Sequence, residues 1–310
     1  MHCIICDNND VKSSIEHIIP EALGNKKFCT DRVCIDCNNK LGTNVDSYIS
    51  EMLITKIIRK DLNITGKSGN QVKVFPSYLY SSTREKYLFR NDIPFIPPIV
   101  ELSEGDTLHI EANNKDEAVN LAKTKLEKLG VEQKEIEHLI SNAKFSYAIQ
   151  EQPEFRLSED IHLNRLFIFA LKIAYEFCHL IIGDKYLDDE IASNTRVIMR
   201  KMIKANKTNI LSIANNCDVS NISLLQEGGK HLLSLVTAAL YKKTPFAQIR
   251  HVLFMHGSAE NQLICEVHLF MENATSFSVL LSKQYSKYFE DLSYSIIAVF
   301  DDGSFRLYSF

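Results

Sequence analysis

The sequence predicts an α+β protein of two parts, and three observations carry that expectation. Five of the eight cysteines fall in the first 37 residues, a stretch with few large apolar side chains. Long apolar runs at helical spacing occupy the middle, Asp160 to Ile182 foremost. From Ile249 onward the chain alternates in the manner of antiparallel strands.

Taken in order, the first feature is a pair of knuckles, Cys3-x-x-Cys6 and Cys34-x-x-Cys37, with Cys29 as an extra. From Thr43 to about Asn63 the apolar positions Val45, Ile49, Leu53, Ile57 and Ile58 recur at helical spacing. The polar run Thr65-Gly66-Lys67-Ser68-Gly69 then reads as a linker or hairpin, and a boundary there divides the chain into residues 1–68 and 69–310. It lacks the preceding strand and the spacing of a phosphate loop. Val72 to Tyr80 and Thr107 to Ala112 read as strands, and Asp116 to Leu129 as a helix with acids in its first turn and Gly130 past its end. Asp160 to Ile182, stopped by Gly183, is a strongly apolar helix that should pack with a second one over Asp189 to Lys204. Five strands follow: Ile249 to Met255, Leu263 to Phe270, Ser276 to Leu281, Ile296 to Phe300 and Phe305 to Tyr308. Asp302-Gly303 between the last two signals a hairpin whose central positions both accept positive φ.

A formal net charge of -4 argues against a basic nucleic-acid coat, so contact with phosphates must come from local patches or bound cations. No charged leader and apolar run opens the chain, and Arg165, Lys172, Glu176 and His179 interrupt the longest apolar stretch. The expectation is a cytoplasmic protein without a membrane span. In a reducing compartment cysteines are read first for metal. Two Cys-x-x-Cys pairs 27 residues apart can close a tetrahedral thiolate shell with no position left for water, which makes the zinc structural. Four incidental buried cysteines are the plain alternative, and the paired spacing weighs against it.

Between the pairs lies Glu16-His17-Ile18-Ile19-Pro20, and after them come Asn38 and, eight residues on, Asp46. This arrangement resembles the zinc-stabilised branch of the HNH endonucleases, the His-Me finger or ββα-metal nucleases, over about the first 50 to 60 residues. The resemblance implies that a first strand carries the acid–His pair, a second strand returns, and a helix supplies the remaining metal ligand. It implies His17 as general base, Glu16 as a metal ligand reached from the strand end, Asn38 as a brace on the backbone, and Asp46 as the second metal ligand. An Asp at that last position departs from the usual His or Asn.

The chemistry is consistent with those roles. Phosphodiester hydrolysis needs an activated water and a Lewis acid, a neutral imidazole accepts a proton near pH 7, and oxygen ligands favour Mg²⁺ or Mn²⁺ over zinc. Adjacent residues in a strand point to opposite faces, so Glu16 and His17 serve one site only if the strand bends or ends there. The bland readings are a core histidine at 17, a surface acid at 16 and a solvent-facing Asp46. Cys29 and His2 default to structural roles, and Lys26 and Lys27 either meet phosphate or form a solvated turn.

Residues 69–310 hold scattered histidines but no second catalytic cluster, and read as a regulatory, sensor or targeting domain contributing nothing to the chemistry. The expected partners are DNA, a second copy of the chain, and a regulatory protein or small-molecule signal. Nucleases fused to sensing domains suggest an effector of bacterial defence against phage, by analogy. The rival reading is a non-catalytic zinc knuckle that binds nucleic acid or protein.

Overall fold

The structure is a computed structural model that describes residues 1–66, 69–82, 84, 86–103, 107–147, 154–225, 227–243, 248–271, 275–290 and 295–309. The fold is α+β, as the mixture of patterns predicts. Lys67 and Ser68 of the expected linker lie outside the described residues.

Strands β1 (Ser13–His17) and β2 (Cys29–Cys34) form an antiparallel hairpin, and helix α1 (Ile35–Leu41) follows directly. The predicted helix over 43–63 is broken into three. A π-helical turn, Gly42–Asp46, runs into α2 (Ser47–Glu51), and Met52, with ψ of 140°, separates this from α3 (Leu53–Asp61). Apolar periodicity is nearly blind to both interruptions, because a one-residue insertion or a single extended residue leaves the local pattern helical.

Residues 73–159 form a compact unit of their own. It holds a three-stranded antiparallel sheet of β3 (Tyr78–Tyr80), β4 (Lys86–Arg90) and β5 (Ile93–Phe95), and the hairpin β6 (Ile99–Ser103) with β7 (Thr107–Glu111). Helices α4 (Lys115–Lys128), capped by the Asn114 side chain on the Glu117 amide, and α5 (Gln133–Ser141) complete it. Only the end of the expected strand 72–80 is extended in this way.

Residues 1–72 and 160–310 fold together as the other unit. Its helices are α6 (Leu163–Ile182), ended by Gly183, α7 (Glu190–Lys204), whose Asp189 side chain caps the Ile191 amide, and α8 (Ile210–Asn215). After β8 (Ile222–Leu224) and α9 (Glu227–Lys243) come β9 (Ile249–Gly257), β10 (Leu263–Leu269), β11 (Ser276–Ser282), β12 (Ser295–Phe300) and β13 (Phe305–Ser309). They make one antiparallel sheet in the order β13-β12-β9-β10-β11-β8. In the hairpin between β12 and β13 only Gly303 takes positive φ, so the turn is not the two-residue type that Asp302-Gly303 suggested.

Alternation along the strands divides two apolar clusters. Leu253, Met255, Ile297 and Val299 join α6 in the main core, while Val252, Phe254, Ile296 and Ala298 pack with Leu240 of α9. The main core also takes in Ile4, Ile5, Ile18, Ile19, Leu23 and Phe28. The boundary expected after residue 68 therefore does not divide the core. Side chains of α6, α7 and the sheet belong to the same cluster. Among the described residues no helix is long and apolar enough to cross a membrane.

Candidate functional site

Cys3 and Cys6 flank the first turn, Cys34 ends β2, and Cys37 lies in the first turn of α1, so hairpin and helix bring both knuckles together. The four sulfurs all lie within 4.8 Å of one another, with Cys6 Sγ 3.9 Å from Cys34 Sγ. A tetrahedron of zinc–thiolate bonds has edges of about 3.8 Å, so the cluster is already at ligating size. A hydrogen bond from Cys37 holds the Cys3 thiol down at about 4, and the same contact pushes the Cys37 thiol up. Zinc takes such sulfurs as thiolates and releases their protons. Cys29 is outside the cluster, as is His2, whose Nε2 lies 2.8 Å from Asp7 Oδ1.

The acid–His pair ends β1. A register shift between Ser14 and Glu16 opposes β1 to an extra residue of β2, and beyond it Glu16 pairs with Thr30 and His17 with Cys29. Glu16 is 2% exposed, which removes the surface-acid reading, whereas Ile15 faces outward and His17 is half-buried. No hydrogen bond of the His17 imidazole occurs among the described residues, so its ring is not the backbone-bonded core histidine of the plain alternative. An open groove of about 560 Å³ is lined by Ile15, Cys29, Arg32, His179 and Asp184 among others, and neither Glu16 nor His17 lines it. Asn38 Nδ2 donates to Ser14 Oγ at 2.8 Å and to the Ile15 carbonyl at 2.9 Å, fixing the strand beside Glu16.

Asp46 closes the π-helical turn. That turn is pinned from α6 and α7: Asn44 Nδ2 donates to the Met202 and Ala205 carbonyls, and Arg165 donates to the Asn44 carbonyl. The extra residue of a π turn alters the rotation expected for a regular helix, and here it delivers Asp46 toward Glu16. The two acids are joined by a residue that sequence reasoning did not assign to the site. Lys172 of α6, 0% exposed, donates to Glu16 Oε1 and, at 3.1 Å, to Asp46 Oδ2. Glu176, one turn on, places Oε2 3.8 Å from the same ammonium. Residues 69–310 are expected from the sequence to contribute nothing to the chemistry, yet a helix of that segment donates to both acids. Burial raises the Asp46 carboxyl to about 6 against the opposing pull of Lys172, and pushes Glu176 well above the usual carboxylate range. Burial works to lower the Lys172 ammonium and is outweighed by Asp46, Glu16 and Glu176, which hold it charged.

A four-cysteine cluster, an acid–His strand end and the Asn38 clamp on β1 thus stand together at this end of the chain. Residues 3–54 match the HNH endonuclease family. No curated protein and no solved structure matches the chain. The match supports a nuclease or nucleic-acid-binding role in general, and the four clustered cysteines fit a structural zinc site. Lys26 and Lys27, between the strands of the HNH module, are exposed; the Lys26 amide bonds the Gly303 carbonyl of the β12–β13 turn. Gly24, at φ of 96°, ends the short 3₁₀ turn just before them, and a Cβ there would lie 2.1 Å from the Arg250 guanidinium.

Proposed function

We propose that the chain is a metal-dependent endonuclease that hydrolyses DNA phosphodiester bonds, with His17 as general base. The observation that carries this reading is the combination on one strand end: a half-exposed, unengaged imidazole beside a buried acid, held by Asn38 inside an HNH module. His17 would take the proton from an attacking water at a phosphate lying along the open face of the hairpin. Asn38 keeps the strand from slipping, so the imidazole stays aimed.

Glu16 and Asp46 are the residues that would hold Mg²⁺ or Mn²⁺. The donor set suits such an ion: all ligand atoms are oxygens, and Asp46 Oδ1 with both oxygens of Glu176 are buried without a hydrogen-bond partner among the described residues. When bound, the ion supplies a Lewis acid that offsets charge on the scissile phosphate. In a cell this machinery suits a cytoplasmic effector of anti-phage defence, held until a protein or small-molecule signal acts on the rest of the chain. A second copy bound symmetrically would let two sites reach opposite strands.

The ion pair of Glu16 with Lys172 favours one other reading, a zinc knuckle that binds nucleic acid without cutting it. Plasmid cleavage by the full chain decides between them. The nuclease nicks or cuts with Mg²⁺ or Mn²⁺, EDTA stops it, and His17→Ala abolishes it with the melting temperature unchanged. Binding without cleavage under any of these ions, or wild-type cleavage by His17→Ala, overturns the assignment.

A further inference from the structure

Lys172 and Glu176 stand four residues apart on the buried face of α6, both 0% exposed. A structural ion pair in a core is stable when charges match and every polar atom is hydrogen-bonded. Neither condition holds here. One ammonium faces three carboxylates, Glu16, Asp46 and Glu176, which leaves two negative charges uncompensated when all are ionised. Among the described residues Glu176 accepts no hydrogen bond at either carboxyl oxygen, and Asp46 Oδ1 accepts none. Three carboxyl groups gathered on one point, with buried oxygens of Asp46 and Glu176 left unengaged, are the donor set of a hard divalent cation.

We propose that α6 completes the cation centre of the HNH module: Lys172 is a resident cation between Glu16 and Asp46, and Glu176 is a third carboxylate ligand that engages when a divalent ion displaces the ammonium. This rests on the reading that Glu16 and Asp46 take such an ion. The ammonium occupies the point on which the three acids converge, 3.1 Å from Asp46 and 3.8 Å from Glu176. Mg²⁺ oxygen bonds are about 2.0–2.1 Å, so the acids must close on the ion as Lys172 swings out on its four-carbon stem. Loading therefore competes with an internal charge. The fold sets the metal affinity through α6, a helix outside the stretch that matches the family.

The test is Mn²⁺ binding by the zinc-loaded full chain, read from the free-ion electron paramagnetic resonance signal and counting only binding that Asp46→Asn removes. Lys172→Met is expected to bind Mn²⁺ at least tenfold more tightly than wild type. Glu176→Gln, which keeps the side-chain shape and removes the ionisable carboxyl, is expected to bind at least tenfold more weakly with its thermal midpoint no lower. Should Lys172→Met not fold, Lys172→Gln and Glu176→Gln decide. Unchanged affinity in a folded Lys172 variant, or in Glu176→Gln, overturns the proposal. Its failure is separable from that of the nuclease reading: expected Mn²⁺ shifts without any DNA cleavage sink the nuclease alone, and metal-dependent cleavage with unshifted Mn²⁺ affinities sinks the role of α6 alone.

Discussion

Phe28 joins the HNH hairpin to the rest of its unit. It is 0% exposed and sits 6.1 Å from Phe177 of α6, edge to face, and 5.2 Å from Phe305 of β13. Phe28→Ala removes a buried ring and leaves a cavity, a change that costs about 3–5 kcal/mol. In a cooperative unit of this size each kcal/mol lowers the midpoint by about 2–4 °C, so the expected fall is on the order of 10 °C. The assay follows thermal unfolding by far-ultraviolet circular dichroism, dominated by α6, α7 and the sheet, and in parallel by zinc release to a chromogenic chelator. A shared core predicts that wild type shows coincident transitions and that Phe28→Ala lowers both together. Phe28→Ala with Phe305→Ala should cost less than the separate losses added, because the rings touch. Zinc release at a temperature well apart from loss of the sheet, with Phe28→Ala moving only the former, would refute the single core.

Cys34→Ser is expected to lose zinc and destabilise the hairpin beyond recovery, since a structural zinc contributes about 10–16 kcal/mol of binding free energy; elemental analysis showing one zinc per folded variant would contradict this. Asn38→Ala removes two hydrogen bonds to β1, each worth about 0.5–1.5 kcal/mol, and should slow metal-dependent cleavage more than it lowers DNA affinity. Equal cleavage rates in the two proteins would show that the clamp is not what aims His17. His251 gives the pH dependence: its Nε2 faces the Leu23 carbonyl at 2.9 Å, while Nδ1 accepts the Phe270 amide, so the folded ring is neutral. Burial lowers it to about 3 from an ordinary value of 6.5, so the unfolded chain takes the proton first as pH falls. Stability is whole above about pH 6.5 and drains toward pH 3, about 2 kcal/mol being lost by pH 5. Denaturation midpoints at pH 7.5 and pH 5 should separate in wild type and draw together in His251→Gln.

The zinc knuckle was legible because its signal is local: two short spacings fix four sulfurs, and the hairpin and helix only have to bring them together. The apolar run of α6, its stop at Gly183 and the final strands were legible for the same reason, since each is written in neighbouring residues. The partnership of Lys172 with Glu16 spans 156 positions and leaves no periodic trace. A signal was nonetheless present. Lys172 and Glu176 interrupt an otherwise apolar helix, and their charge argued only against a membrane span. A charged pair in the middle of a buried helix also requires buried partners elsewhere, and the unpaired acids of the N-terminal module were the nearest chemistry on offer. The boundary after residue 68 misled because composition does change there, although the core does not.

Residues 1–72 and 160–310 share one unit, with 73–159 between them in sequence. The hairpin bearing His17 is therefore made well before the segments that finish it. Phe28 waits for Phe305, and Glu16 and Asp46 have no counter-charge until Lys172 emerges. At about 5–20 residues per second, the interval between the hairpin and the strand that covers Phe28 is tens of seconds. During synthesis this order leaves the nascent hairpin without its core, and a truncated chain, whether from a stalled ribosome or a nonsense mutation, carries the His17 motif without the scaffold that would give it a shape.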